Sequence, residues 1–167
     1  MARPDELDPH VTEQLKRLDA SPESVGVIVI DHGSRRDESN RLLLDVVEQL
    51  RRAAGWPIVE PAHMELAEPS MGTAMDRCVK QGARLIVIHP YFLGPGRHWE
   101  EDIPRLAAEA ARGHANLRYL VTAPLGPHPM MSRIMQDRIE QALARQVATG
   151  EHGARRGHLL NDPLRDV

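Results

Sequence analysis

The chain has 167 residues, 41% of them apolar, which favours one domain large enough to bury a sizeable core, and its formal charge of −3 offers no bulk attraction for nucleic acid. Cys78 is the sole cysteine, so one chain cannot build an intrachain disulfide or a four-cysteine iron–sulfur cluster, and a reducing cytoplasm is the expected compartment. Aromatics at 3% leave the core to Val, Ile, Leu, Met and Ala, a composition that suits a sheet covered by helices.

Residues 1–23 are polar and read as an N-terminal extension with one short helix near 11–18. Asp5, Glu6 and Asp8 stand where a signal peptide would be basic and then apolar. A β-branched run at 25–30 predicts the first strand, and Leu43, Val46, Val47, Leu50 and Ala54 then recur at helical spacing. Gly55-Trp56-Pro57 breaks that helix. Residues 58–66 form a more mixed second strand, followed by Met71, Ala74, Met75 and Cys78 on one helix face with Ser70 as its N-cap. After Gln81-Gly82, residues 84–88 are a continuous apolar strand of the kind buried on both faces. The run is broken at His89-Pro90, too short to span a membrane. Ile103, Leu106, Ala107, Ala110 and Ala111 pattern the next helix. A fourth strand at 117–123 leads through Pro124-Leu125-Gly126-Pro127-His128-Pro129 into a last helix with Ile134, Met135, Ile139, Ala142 and Leu143 facing inward.

Four βα units predict an α/β fold, a four-stranded parallel sheet flanked by helices and flavodoxin-like in form. Right-handed crossovers give the strand order 2-1-3-4. The domain is expected over residues 24–146, with 147–167, which carry Gly, His and Arg without periodicity, as a disordered tail.

Two histidines, His32 and His98, lie in glycine-bearing turns after the first and third strands. In the expected order those strands are neighbours, and the carboxyl edge of a parallel sheet is where ligands bind. Imidazole is the commonest ligand for divalent transition metals, and two imidazoles from separate loops leave coordination positions open, as suits a metal in transit. Glu65, at the end of the second strand, is the candidate carboxylate, with Glu68 second. Arg35 and Arg97 beside the two histidines supply planar forks for carboxylates, and Ser34 adds a hydroxyl or a helix cap. Gly94 and Gly96 either admit a flat ligand closely or satisfy the turn. His128 follows the fourth strand on the same edge and is a further candidate contact for an anionic substrate. Trp99, Tyr91 and Phe92 are candidates for stacking, the last two fitting core packing better. His63 and His89 read as hydrogen-bonded strand residues, His10 and His114 as solvated, and Cys78 as packed.

The segments Asp31-His32-Gly33-Ser34-Arg35-Arg36, 60–70 (EPAHMELAEPS), 91–99 (YFLGPGRHW) with Asp102-Ile103-Pro104, and 123–128 (APLGPH) occur in an order that resembles the CbiX/SirB sirohydrochlorin chelatases, in their short single-domain form. The likeness runs from about residue 25 to 143. It implies a class II chelatase fold, insertion of Fe2+ or Co2+ into sirohydrochlorin, His32 and His98 as the metal-handling pair, and a homodimer that completes the tetrapyrrole cleft. The metal is then a substrate and no tightly bound cofactor is expected. Imidazole and carboxylate also accept Ni2+. A metal-binding or delivery module using the same histidines is the alternative, whereas a nucleotide binder would need a GxxxxGK[ST] or GxGxxG turn that is missing here.

Overall fold

The computed structural model of the chain describes residues 7–94 and 96–149. Helix α1 (Pro9–Arg17) precedes a four-stranded sheet made of β1 (Val25–Asp31), β2 (Ile58–His63), β3 (Leu85–Pro90) and β4 (Arg118–Val121). The crossovers carry α2 (Asp37–Ala54), α3 (Met71–Lys80) and α4 (Ile103–Ala111), and α5 (Pro129–Thr149) follows β4. All neighbouring strands pair parallel in the order β2-β1-β3-β4, the order expected from the sequence. The two central strands, β1 and β3, therefore deliver their following loops side by side.

Alternation along the strands divides the core into two layers. Ile28, Ile30, Ile58, Ala62, Ile86 and Ile88 pack with Met71, Met75 and Cys78 of α3 and with Ile103 and Ala107 of α4. Val25, Val27, Val29 and Val59 meet Leu43 and Val47 of α2 on the other face. Leu15 of α1 is buried in that second layer, and Arg118 at the start of β4 donates to the carbonyls of Leu18 and Asp19. The described part of the N-terminal extension is thus docked on the core. Burial pushes the Cys78 thiol up to about 12, as fits a packed and unreactive sulfur. Ile28 is fully buried, so Ile28→Val is expected to cost about 0.5–1.5 kcal/mol in a urea titration without changing its slope.

Local chemistry explains the element ends. Ser70 caps α3 by accepting from the Thr73 N–H at 3.3 Å, and Gly55, at φ 65°, closes α2 in the left-handed region. Strand β2 stops at His63, short of the predicted 66, because Leu66 takes φ 66° and turns the chain away. Strand β4 is likewise shorter than 117–123, whereas β3 runs on through His89 and Pro90. The Glu68-Pro69 peptide in the loop after β2 is cis. Among the described residues no helix is long and apolar enough to cross a membrane.

The chain divides into two compact units, Met1–Gly126 and Pro127–Val167, with α5 in the second. The expected 24–146 domain crosses that division, and most of the expected tail lies outside the described residues. Helix α5 differs from its expected role: Ile134, Met135, Ile139 and Leu143 are exposed, not inward. An apolar stripe specifies a need for cover, not the surface that supplies it.

Candidate active site

The carboxyl edge is organised first around Asp31, the last residue of β1. Its Oδ1 accepts the Gly33 N–H at 2.9 Å and the buried His63 Nδ1–H at 2.6 Å, tying the loop after β1 to the end of β2. Two further bonds join these loops, from Met64 N–H to Asp31 O and from Glu65 N–H to His32 O. Between them lies Gly33 at φ 84°, where a Cβ would stand 2.0 Å from the Glu65 carbonyl oxygen. Only glycine fits there. The result is that His32 Nε2 and Glu65 Oε1 sit 3.1 Å apart, both groups about half exposed. His32 Nδ1 lies 3.3 Å from Gly33 O.

The second histidine arrives from β3. The Tyr91 N–H donates to Ile30 O, holding the start of this loop against β1, and a π-helical turn, His98–Asp102, leads into α4. Single π turns inside helices occur often at functional sites. The His98 ring lies edge-on to His32 with centroids 5.1 Å apart and an interplanar angle of 76°, while Phe92 stacks against it at 6.4 Å. His98 Nδ1 is 2.9 Å from Asp102 Oδ2, and that hydrogen bond holds the Asp102 carboxyl below the usual carboxylate range. Sequence reasoning passed over Asp102 as a site residue, although its i+4 spacing from a candidate histidine in a helical segment was the available signal.

The remaining predicted residues separate. Ser34 and Arg35 line an open cleft of about 510 Å3, together with Arg41 of α2, His63 and the loop that follows β2. The Ser34 hydroxyl accepts the Arg36 N–H at 3.1 Å, so it supports the turn before α2. Arg97 pairs with Glu101 at 3.4 Å on the surface. Gly94 and Gly96 have open space where a Cβ would stand, so among the described residues no neighbouring atom demands glycine there. His128 belongs to the second unit and accepts the Met130 N–H at the start of α5, a capping contact. Of the candidate stacking side chains, Trp99 commits its indole N–H to Thr122 O at 3.0 Å and Phe92 packs on the core. Tyr91 is exposed, contrary to the core packing expected for it.

Glu68 is a capping acid. It accepts the Ser70 N–H at 2.8 Å and the Thr73 hydroxyl at 2.9 Å, which holds its carboxyl pKa below the ordinary glutamate range. A carboxyl depressed in the folded state stabilises the fold above the unfolded value, about 4.3, and loses that contribution as pH falls through the folded value. Glu68→Gln is therefore expected to lower the melting temperature slightly at neutral pH, to match the parent in acid below the folded value, and so to flatten the fall of melting temperature below about pH 4.5. His63 and His89 are hydrogen-bonded strand residues as expected, the latter to Thr122 at 2.8 Å with burial disfavouring its charged form. His114 differs from expectation, being largely covered and paired with Asp76 at 2.7 Å.

Among the described residues no three His, Cys, Asp or Glu side chains stand ready-made to hold an ion. What the edge offers is a pair of imidazoles with a carboxylate against one of them, open to further ligands. This set can lend ligands or take protons.

Comparisons with known proteins bear on the same segments. The CbiX family model matches residues 26–142. The chloroplastic sirohydrochlorin ferrochelatase of Arabidopsis thaliana is 53% identical over 119 residues, covering 71% of this chain and 53% of that protein. A sirohydrochlorin cobaltochelatase of Methanocaldococcus jannaschii is 39% identical over 80 residues, covering 48% and 56% respectively. This chain therefore spans about half the length of these relatives. Among solved structures, the cobalt complex of the sirohydrochlorin chelatase SirB from Bacillus subtilis subspecies spizizenii superposes with a TM-score of 0.66 at 27% identity, covering 71% of this chain and 50% of that one. A cobalamin (vitamin B12) biosynthesis CbiX protein from Marinobacter aquaeolei gives a TM-score of 0.62 at 26% identity, over 72% of this chain and 98% of that one. The match runs from the second residue of β1 into α5 and takes in both histidine loops, so the chain belongs to the CbiX family.

Proposed function

We propose that this chain inserts a divalent metal, Fe2+ or Co2+, into sirohydrochlorin. The observation that carries the reading is the convergence of His32 and His98 from separate loops to a ring separation of 5.1 Å, in a chain of this family. The named relatives are ferrochelatases and cobaltochelatases, and SirB of Bacillus subtilis has been solved with cobalt and with Fe3+. Ni2+ suits the same donors.

Insertion asks three things of a protein: a hydrated ion must shed water, two pyrrole N–H groups must lose protons, and the macrocycle must bend to expose its nitrogens. His32 and His98 lend lone pairs to the incoming ion, and imidazole is a side chain suited to accepting a proton in general base catalysis. Glu65, 3.1 Å from His32 Nε2, receives a proton or joins the ion. The few protein ligands let pyrrole nitrogens replace them in turn. Arg35 and Arg97, with the hydroxyl of Ser34 and the loop glycines Gly94 and Gly96, form the proposed rim for the carboxylates of sirohydrochlorin, a role strongest for the two arginines.

A homodimer completes the cleft. The Bacillus subtilis SirB chain is twice the length covered here, as two such units in tandem would be. The exposed stripe on α5 supplies apolar surface for a second copy. The proposed compartment is a reducing cytoplasm, where ferrous iron persists, although the Arabidopsis relative is chloroplastic.

The test is an anaerobic spectroscopic assay with sirohydrochlorin and Fe2+, Co2+ or Ni2+ in turn. Catalysed change of the macrocycle spectrum above the uncatalysed rate is expected. Binding of Co2+ with no such change for any metal would overturn the proposal in favour of a delivery module.

A further inference from the structure

Asp102 ends the π-helical turn in helical conformation, φ −72° and ψ −46°, so the helix runs through it into α4 and its carboxylate is not called on to accept a backbone N–H as a cap would. Its side chain makes no such bond. One oxygen faces the His98 ring at 2.9 Å and the other lies 3.6 Å from Arg105 Nη2, and the side chain is only 20% exposed. The acid is directed back along the helix, one turn earlier, at the imidazole.

The His98 ring is bounded on several sides. Phe92 stacks on it, His32 meets it edge-on, and Asp102 holds Nδ1. A carboxylate only accepts, so Nδ1 carries the proton, and the lone pair of a neutral ring is then on Nε2. His98 Nε2 has no hydrogen-bond partner among the described residues. A carboxylate behind the far nitrogen is the usual means of fixing the tautomer and orientation of a histidine ligand and of raising its basicity.

We propose that Asp102 is a positioning residue, which fixes His98 in the Nδ1–H tautomer and aims Nε2 at the opening shared with His32. This rests on the chelatase reading for its consequence in turnover, but the tautomer is a property of the metal-free protein.

The experiment compares the parent, Asp102→Ala and Asp102→Asn by three readouts. Imidazole 15N NMR of the metal-free full chain reports the His98 tautomer, with His98→Gln used for assignment. Titration with Co2+ alone reports affinity, and the insertion assay reports turnover. The parent is expected to show Nδ1–H. Alanine is expected to mix the tautomers and to lower both Co2+ affinity and turnover by about 10–100-fold. Asparagine, whose oxygen still accepts from Nδ1–H, is expected to retain the tautomer and to lose less than alanine. An Nε2–H tautomer in the parent overturns the proposal, as do unaltered tautomer and Co2+ affinity in both variants. Should alanine fail to fold, the parent spectrum and the asparagine variant still decide. Absence of insertion by the parent, with the tautomer as expected, removes the chelatase reading and leaves the positioning role standing.

Discussion

His98→Ala is expected to lower the rate of metal insertion by about 100-fold or more while moving the melting temperature little, and His32→Ala is expected to do the same. His98 is half exposed, so its removal forfeits little buried area, and the loss at a surface site away from caps and core is within about 0.5 kcal/mol. The function it carries is not so easily replaced. In the proposed reaction, with either ring gone the ion would face one imidazole, and the close pairing at 5.1 Å, by which one group would hold metal while the other takes a proton, no longer exists. Losing His32 also leaves the Glu65 carboxylate without its 3.1 Å partner. The check is the initial rate at saturating sirohydrochlorin and fixed Co2+, set beside thermal melting of each variant. Near-parental turnover in both variants would exclude these histidines from the chemistry.

Gly33→Ala is expected to damage both stability and turnover without touching a reactive group. A methyl at this position would lie 2.0 Å from the carbonyl oxygen of Glu65, which is backbone and cannot rotate aside. The left-handed φ of 84° adds about 1–2 kcal/mol for any residue with a Cβ. Relief requires the loop after β2 to move away from the loop after β1, which separates His32 from Glu65, and a displacement near 1 Å in such a site costs about 100-fold in rate. Gly72→Ala is the matched control. That glycine lies in α3 with open space around it, so alanine there is expected to be neutral or to stabilise by about 0.5–1 kcal/mol. Equal melting temperatures and equal rates for the two alanine variants would show that the contact between the loops is not needed.

Much of the fold was legible because the apolar periods are clean. The β-branched run of β1 and the continuous run of β3 specify central strands, and short parallel crossovers leave few orders for four βα units. The reading failed where local pattern is indifferent to context. The end of β2 turns on Leu66 entering a left-handed conformation that its own chemistry disfavours. His114 looked solvated because nothing local to it reveals Asp76, which a different helix brings to 2.7 Å. On α5 the periodicity was read correctly as an apolar face, but the surface that should cover it is not written in the helix itself.

The sequence by itself determined the parallel α/β sheet and nominated His32, His98 and Glu65, because strand-and-helix alternation places the residues after each strand at one edge. Only the tertiary structure decided how those groups are held: which ring edge meets which, that Asp31 secures His63 and the glycine turn, that Glu68 caps a helix, and that Asp102 stands behind His98. Those are contacts between side chains on different elements, or on a turn of unusual pitch. Hydrogen bonding at that range depends on distances of a few tenths of an ångström, which no pattern of residue types along a chain encodes.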